Sequence, residues 1–243
     1  MADTLYLSLW YPNLLLEALA GKLTAVLDAF AAHGGEATVY AATVWPVNWG
    51  EAPVFQRVYG RMVGDPGTNP GATPRQAVEE ALELLHDDYA YEFQIGWSLW
   101  ELEAEAAGKA TADPSRPPSG GCPQDDIPNL IAHDDRSRGP ASSRWVRGPR
   151  LVRVTAYGPL FDDGAYEQDG HIRIDFGSDA PFLEEDADLD RVGALHVEEN
   201  VRQLVELAAA VEKASGATAR VLWSELGESL AQKLAERLGI RNS

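Results

Sequence analysis

The chain has 243 residues, 45% of them apolar, and sets 38 Asp and Glu against 20 Lys and Arg, a formal net charge of −18 at pH 7. That length buries a substantial core. That charge excludes a nucleic-acid binder, which needs cations to displace phosphate counterions, and docking on an anionic membrane. Cys122 is the single cysteine, so no intrachain disulfide forms. With no signal-peptide pattern and no apolar run of membrane-spanning length, the sequence predicts a soluble cytoplasmic protein.

Leu5, Leu7 and Leu9 alternate with Tyr6, Ser8 and Trp10, which predicts a first strand. Asn13 is an N-cap candidate for the helix that Leu15, Leu19, Leu23, Val26, Leu27 and Phe30 mark, ended by Gly34 and Gly35. Residues 37–47 and 54–62 read as an antiparallel pair joined by the turn Pro46-Val47-Asn48-Trp49-Gly50. Thr73-Pro74-Arg75-Gln76 has the residues of a capped helix start: a hydroxyl at the cap, proline at the first helical position, and Gln76 for a capping box. Val78, Ala81, Leu82 and Leu85 are its apolar stripe.

In residues 89–99, Tyr89, Tyr91, Phe93, Ile95, Trp97 and Leu99 alternate with Ala90, Glu92, Gln94, Gly96 and Ser98. This is the two-residue period of a strand with one buried and one open face. The order β-α-β-β-α-β predicts a ferredoxin-like α+β domain over residues 1–103.

Residues 104–149 read as a linker rich in Pro, Gly and Arg, partly disordered, with a short strand or turn at 127–131. Residues 150–243 then give strands at 151–157 and 171–176 and a helix striped by Val197, Val201, Leu204, Val205, Ala208 and Val211. A strand at 217–223 and a last helix striped by Leu230, Leu234 and Leu238 complete them. This β-β-α-β-α order predicts a second α+β domain, related to the first but lacking its first strand and helix. Leu99-Trp100-Glu101-Leu102 and Leu222-Trp223-Ser224-Glu225-Leu226 echo one another across the two halves. Residues 127–131 or the first half's sheet would supply the missing strand.

Several constellations could carry chemistry. His86-Asp87-Asp88, repeated as His133-Asp134-Asp135, has groups for metal ligation or acid–base work, but no His-x-His or His-x-x-x-His pair accompanies it. His86 is also favourably placed against the C-terminal dipole of the preceding helix. Glu92 and Gln94 share the open face of their strand, where a ligand or partner would lie. Trp45 and Trp49 flank the hairpin turn, where aromatics anchor interfaces or fold back on their own sheet. Arg136, Arg138, Arg144, Arg147, Arg150 and Arg153 concentrate the positive charge; against this net charge an intramolecular role is expected, with Glu184, Glu185, Asp186, Asp188 and Asp190 as a matching acidic run.

Cys122 lacks a local base, and no Walker A loop, Gly-x-Gly-x-x-Gly run or Gly-x-Ser-x-Gly elbow is present, so no cofactor and no metal is expected. The leading expectation is a non-catalytic acidic interaction protein that binds a basic protein partner, as an immunity or inhibitor protein does, with Glu92, Gln94, Trp45 and Trp49 as binding residues. The alternatives are a small metal-assisted hydrolase using His86, Asp87, Asp88 and Glu92, and a small-molecule sensor using the open sheet face.

Overall fold

The computed structural model describes residues 3–60, 71–102, 144–183 and 189–224. Its elements are β1 (Thr4–Trp10), α1 (Leu19–Ala32), β2 (Gly35–Pro46), β3 (Phe55–Val58), α2 (Pro74–Ala81), β4 (Tyr89–Leu102), β5 (Trp145–Tyr157), α3 (Tyr166–Asp169), β6 (Ile172–Ser178), α4 (Ala180–Leu183), α5 (Arg191–Ser215) and β7 (Ala219–Ser224). The class is mixed α+β. The strands form one antiparallel sheet in the order β3-β2-β4-β5-β6-β1-β7. No helix among the described residues is long and apolar enough to cross a membrane.

This order corrects the arrangement expected from the sequence. The strands of residues 1–103 do not form a ferredoxin-like sheet of their own. β1 pairs instead with β6 on one side and β7 on the other. The first half thus supplies the strand that the second half lacks. The path β1-α1-β5-β6-α5-β7 lies in the spatial order β7-β1-β6-β5, and β2, β3, α2 and β4 are an insertion that extends the sheet beyond β5. The physical reason is burial: Leu5, Leu7 and Leu9 are fully buried, and a position inside the sheet sets Leu7 between Ile174 of β6 and Leu222 of β7. The two echoed segments also meet different surroundings. Trp100 stacks on His196 of α5, whereas Trp223 stacks on Tyr6.

β4 and β5 pair continuously from Ala90↔Tyr157 to Leu102↔Trp145, so the two halves share one sheet. Residues 145–149 belong to β5; the rest of the expected linker up to residue 143, with Cys122, His133, Asp134, Asp135, Arg136 and Arg138, lies outside the described residues, as does the expected last helix.

The alternation in β4 sets the core. Tyr91, Phe93, Ile95, Trp97 and Leu99 are buried on the face that α1, α2 and α5 cover. Trp97 packs on Phe30, Phe176 and Phe182, and its Nε1 donates to the His33 carbonyl at 3.0 Å.

Two helix starts show what local signals decide. Thr73 caps α2, its Oγ1 accepting from the Gln76 amide at 3.2 Å, but the Gln76 side chain turns to Glu80, so the capping box is half made. Asn13 caps nothing. It adopts φ +52° in a turn, a 3-10 turn at Leu16–Ala18 follows, and α1 starts only at Leu19.

Asn200 of α5 is fully buried and satisfied at both ends. Its Oδ1 accepts from the Trp100 amide at 3.0 Å, and its Nδ2 donates to the carbonyls of Trp100 and Pro181, both at 2.8 Å. Asn200→Asp keeps the acceptor, loses both donations and buries a charge. It is expected to cost about 3 kcal/mol in urea denaturation, more than a surface Asn→Asp change by an order of magnitude.

Candidate functional site

Three connections meet at one end of the sheet. The β2–β3 turn, the α2–β4 turn and the β5–β6 connection are tied by backbone hydrogen bonds: Val47 N to Asp88 O at 2.8 Å, Leu160 N to Asp87 O at 2.7 Å, Gly158 N to Tyr89 O at 2.8 Å and Asp162 N to Val47 O at 2.7 Å. Each turn has a local cause. Asn48 Oδ1 accepts from the Gly50 amide at 2.8 Å and tightens the first. In the second, Tyr91 reaches back from β4: its hydroxyl accepts from the His86 amide at 2.7 Å and donates to the Leu84 carbonyl at 3.1 Å. Burial pushes the Tyr91 phenol up to about 12, so it stays a donor. In the third, Gly158 passes so close to the second turn that a Cβ there would stand 2.4 Å from the Asp87 carbonyl oxygen.

The joined loops form a tip with an apolar centre. Val47, Trp49 and Leu160 are 49%, 39% and 62% exposed. Trp49 stands edge-on to Trp45, Tyr157 and Phe161 at centroid distances of 5.7, 6.2 and 5.1 Å. Beneath it, Ala90, Tyr157 and Phe161 form a small second core with Trp45 against them. The Trp45 Nε1 is buried without a hydrogen-bond partner among the described residues. So Trp45 folds back on the sheet, while Trp49 is part base and part surface.

Charge at the tip has one sign. Segments 46–55, 86–88 and 158–168 contain Glu51, Asp87, Asp88, Asp162, Asp163 and Glu167 and no Lys or Arg. The backbone is strained there too. Among the described residues, four that are not glycine have positive φ, and three are in the tip: Val47 at +59°, Asp162 at +47° and Asp163 at +55°. Asp tolerates this region through local hydrogen bonds, but for a β-branched residue it is an outlier that costs energy and clusters at functional sites.

The residues singled out in the sequence are placed as follows. His86, Asp87 and Asp88 come together, with one potential ligand atom from each within 4.8 Å of the others. Both carboxylates meet the same nitrogen: Nδ1 of His86 lies 3.0 Å from Asp87 Oδ1 and also pairs with Asp88 Oδ1. The imidazole is exposed and lies against Tyr89. Glu92 is not in this group. It sits on the open face between Thr43 and Thr155, and accepts a long hydrogen bond from Gln94 Nε2 at 3.4 Å. Further along that face Gln94 neighbours Arg153, then Asp175, then the Tyr6–Trp223 stack. Three of the six arginines pair within the molecule, but with other acids than expected: Arg147 with Glu199, Arg150 with Glu101 and Arg153 with Asp175. Of the expected acidic partners, Asp190 caps α5 through the Gly193 amide, and Glu184, Glu185, Asp186 and Asp188 lie outside the described residues.

No family model, curated protein or solved structure matches this chain.

Sequence reasoning passed over two features. The stretch Gly158-Pro159-Leu160-Phe161-Asp162-Asp163-Gly164 has plain turn chemistry, yet its docking on Asp87 depends on β4 and β5 being neighbours. His171, read only as the start of a strand, is half-buried. Its Nδ1 accepts from the Tyr11 amide at 3.2 Å, and burial holds its pKa below the ordinary 6.5. The neutral ring is therefore preferred in the folded protein. Between the lowered value and 6.5 the unfolded chain binds more protons, so this group's stability contribution is complete above that window and is lost as pH falls through it. Urea denaturation at pH 7.5 and pH 5.5 is expected to show a larger loss for the wild type than for His171→Gln.

Proposed function

We propose that the protein is a non-catalytic binding protein that recognises a basic protein partner through the loop tip, in the manner of an immunity or inhibitor protein. One observation carries the reading. Exposed Val47, Trp49 and Leu160 stand among Glu51, Asp87, Asp88, Asp162 and Asp163 on loops without a single Lys or Arg. An apolar centre with a charged rim is the general layout of a protein interface, and tryptophan is the residue most enriched at binding hot spots. The acidic rim steers a cationic partner, and the strained Val47 is held outward at a cost a purely structural turn would not carry. His86, Asp87 and Asp88 join the rim in this reading, and Glu92 and Gln94 extend it along the open face. A single cysteine suits work in a reducing cytoplasm.

The test is retention from native extract. Immobilised wild type is expected to hold a basic protein at low salt and release it as salt rises, and the Trp49→Ala, Asp87→Asn double variant is expected to lose it. Equal retention by the double variant, or retention of no basic protein at all, contradicts the reading.

A further inference from the structure

A cavity opens where the end of β1 meets the β5–β6 connection. It has a volume of about 330 Å³ and is bounded by Tyr11, Tyr157, Tyr166 and His171 above a floor that includes Leu14 and Leu16. We propose that this cavity binds a small, planar, uncharged aromatic molecule whose carbonyl oxygen takes the Nε2 hydrogen of His171.

The ring geometry favours a flat ligand. Tyr166 lies over the imidazole at 4.8 Å with the planes 35° apart, and Tyr11 meets it edge-on at 6.0 Å. Aromatic walls of this kind take a planar guest by offset or edge contacts. The volume is at the lower end for small-molecule sites, which suits one or two fused rings.

Polarity follows from the histidine. Nδ1 accepts the Tyr11 amide hydrogen, so the ring proton resides on Nε2. Nε2 has no hydrogen-bond partner among the described residues and is not sealed from solvent, which leaves it as a donor for a ligand acceptor. Protonating the ring would set its Nδ1–H against the Tyr11 N–H, so the donor is neutral.

The charge of the ligand follows from the walls. Among the described residues, no carboxylate, ammonium or guanidinium lines the cavity. Lys22 lies over the Tyr11 ring and Arg173 over the Tyr157 ring, at 5.1 and 5.6 Å, and both are already paired, Lys22 with the Ser215 carbonyl and Arg173 with Asp169. A charged guest would lose its hydration without gaining a partner. Asn13, at φ +52°, completes the wall as the fourth strained residue, outside the tip. The inference does not rest on the tip, whose acids take no part in the cavity.

The probe is quinolin-2-one, two fused rings with one ring carbonyl, added to protein labelled with 15N in its histidines. A saturable shift of the His171 Nε2 resonance is expected, with binding weakened at least tenfold in both His171→Ala and Tyr166→Ala and in the non-planar control cyclohexanecarboxamide. Tyr166 is partly exposed, so its variant keeps the test valid should the histidine variant not fold. Absence of a saturable His171 shift, or benzoate binding as tightly as quinolin-2-one, overturns the proposal.

Discussion

Neutralising the tip through Glu51→Gln, Asp87→Asn, Asp162→Asn and Asp163→Asn together is expected to slow association with the basic partner by about tenfold or more at low salt. Asparagine is the right replacement at 162 and 163, because those residues hold φ of +47° and +55° and Asn tolerates that region as Asp does. Lysine there would confound charge with strain. The difference between wild type and variant should shrink as salt rises, since the screening length falls from about 8 Å at physiological ionic strength to about 3 Å at 1 M. The dissociation rate should change much less, because rim charges act mainly on encounter. Stopped-flow association across a salt series measures both. The four side chains are on an acidic surface with no Lys or Arg in their own loops, and only Asp87 has a partner there, His86, so stability should hold or rise slightly.

Gly158→Ala is expected to do the opposite: little change in charge and a large change in structure. The added Cβ would stand 2.4 Å from the Asp87 carbonyl oxygen and 2.8 Å from that of Tyr89, both backbone atoms that cannot rotate away. Overpacking against backbone costs about 1–3 kcal/mol. Opening the contact to relieve it loses the Gly158–Tyr89 and Leu160–Asp87 hydrogen bonds, at about 1 kcal/mol each. By either route the expected cost is about 1–3 kcal/mol in urea denaturation, with Trp49 fluorescence moving to longer wavelength as the loops part. Val47→Gly is the contrasting change at the same tip. Glycine removes a left-handed penalty of about 1–2 kcal/mol against an entropic cost of about 0.5–1 kcal/mol, so the variant should be as stable as the wild type or more so. If the strain serves binding, that gain comes with weaker retention of the partner.

These expectations rest on features of unequal legibility. The half-buried strand at 89–99 was plain, because a two-residue period with Tyr91, Phe93, Ile95, Trp97 and Leu99 on one face admits one reading, and all five are buried. The start of α2 was equally plain, since Thr73 and Pro74 act within one turn of chain. The sheet order was not. Pairing of β1 with β6 joins residues about 170 positions apart, such as Leu7↔Ile174, and no local pattern encodes it. Asn13 is ambiguous for a related reason: the residue type suits a cap and a left-handed turn alike, and the chain bends toward His171 before it coils.

The same division runs through the site. The turn at 46–50 and the triplet His86-Asp87-Asp88 stand out as sequence, and so does the excess of acid. Their meeting does not, because Val47, Asp88 and Asp162 are brought together only once β2, β4 and β5 are neighbours. The cavity at His171 is less legible still. It is bounded by side chains from the end of β1, the turn before α1 and the β5–β6 connection, and only β1 pairing with β6 sets them face to face.

The most direct test of the tip as the docking surface is backbone hydrogen exchange of this protein, free and bound to the basic partner it retains. The account predicts slowed exchange in the complex at residues 47–51, 86–88 and 160–164, with the exposed faces of α1 and α5 unchanged. Protection on those helices with an unaltered tip would contradict it.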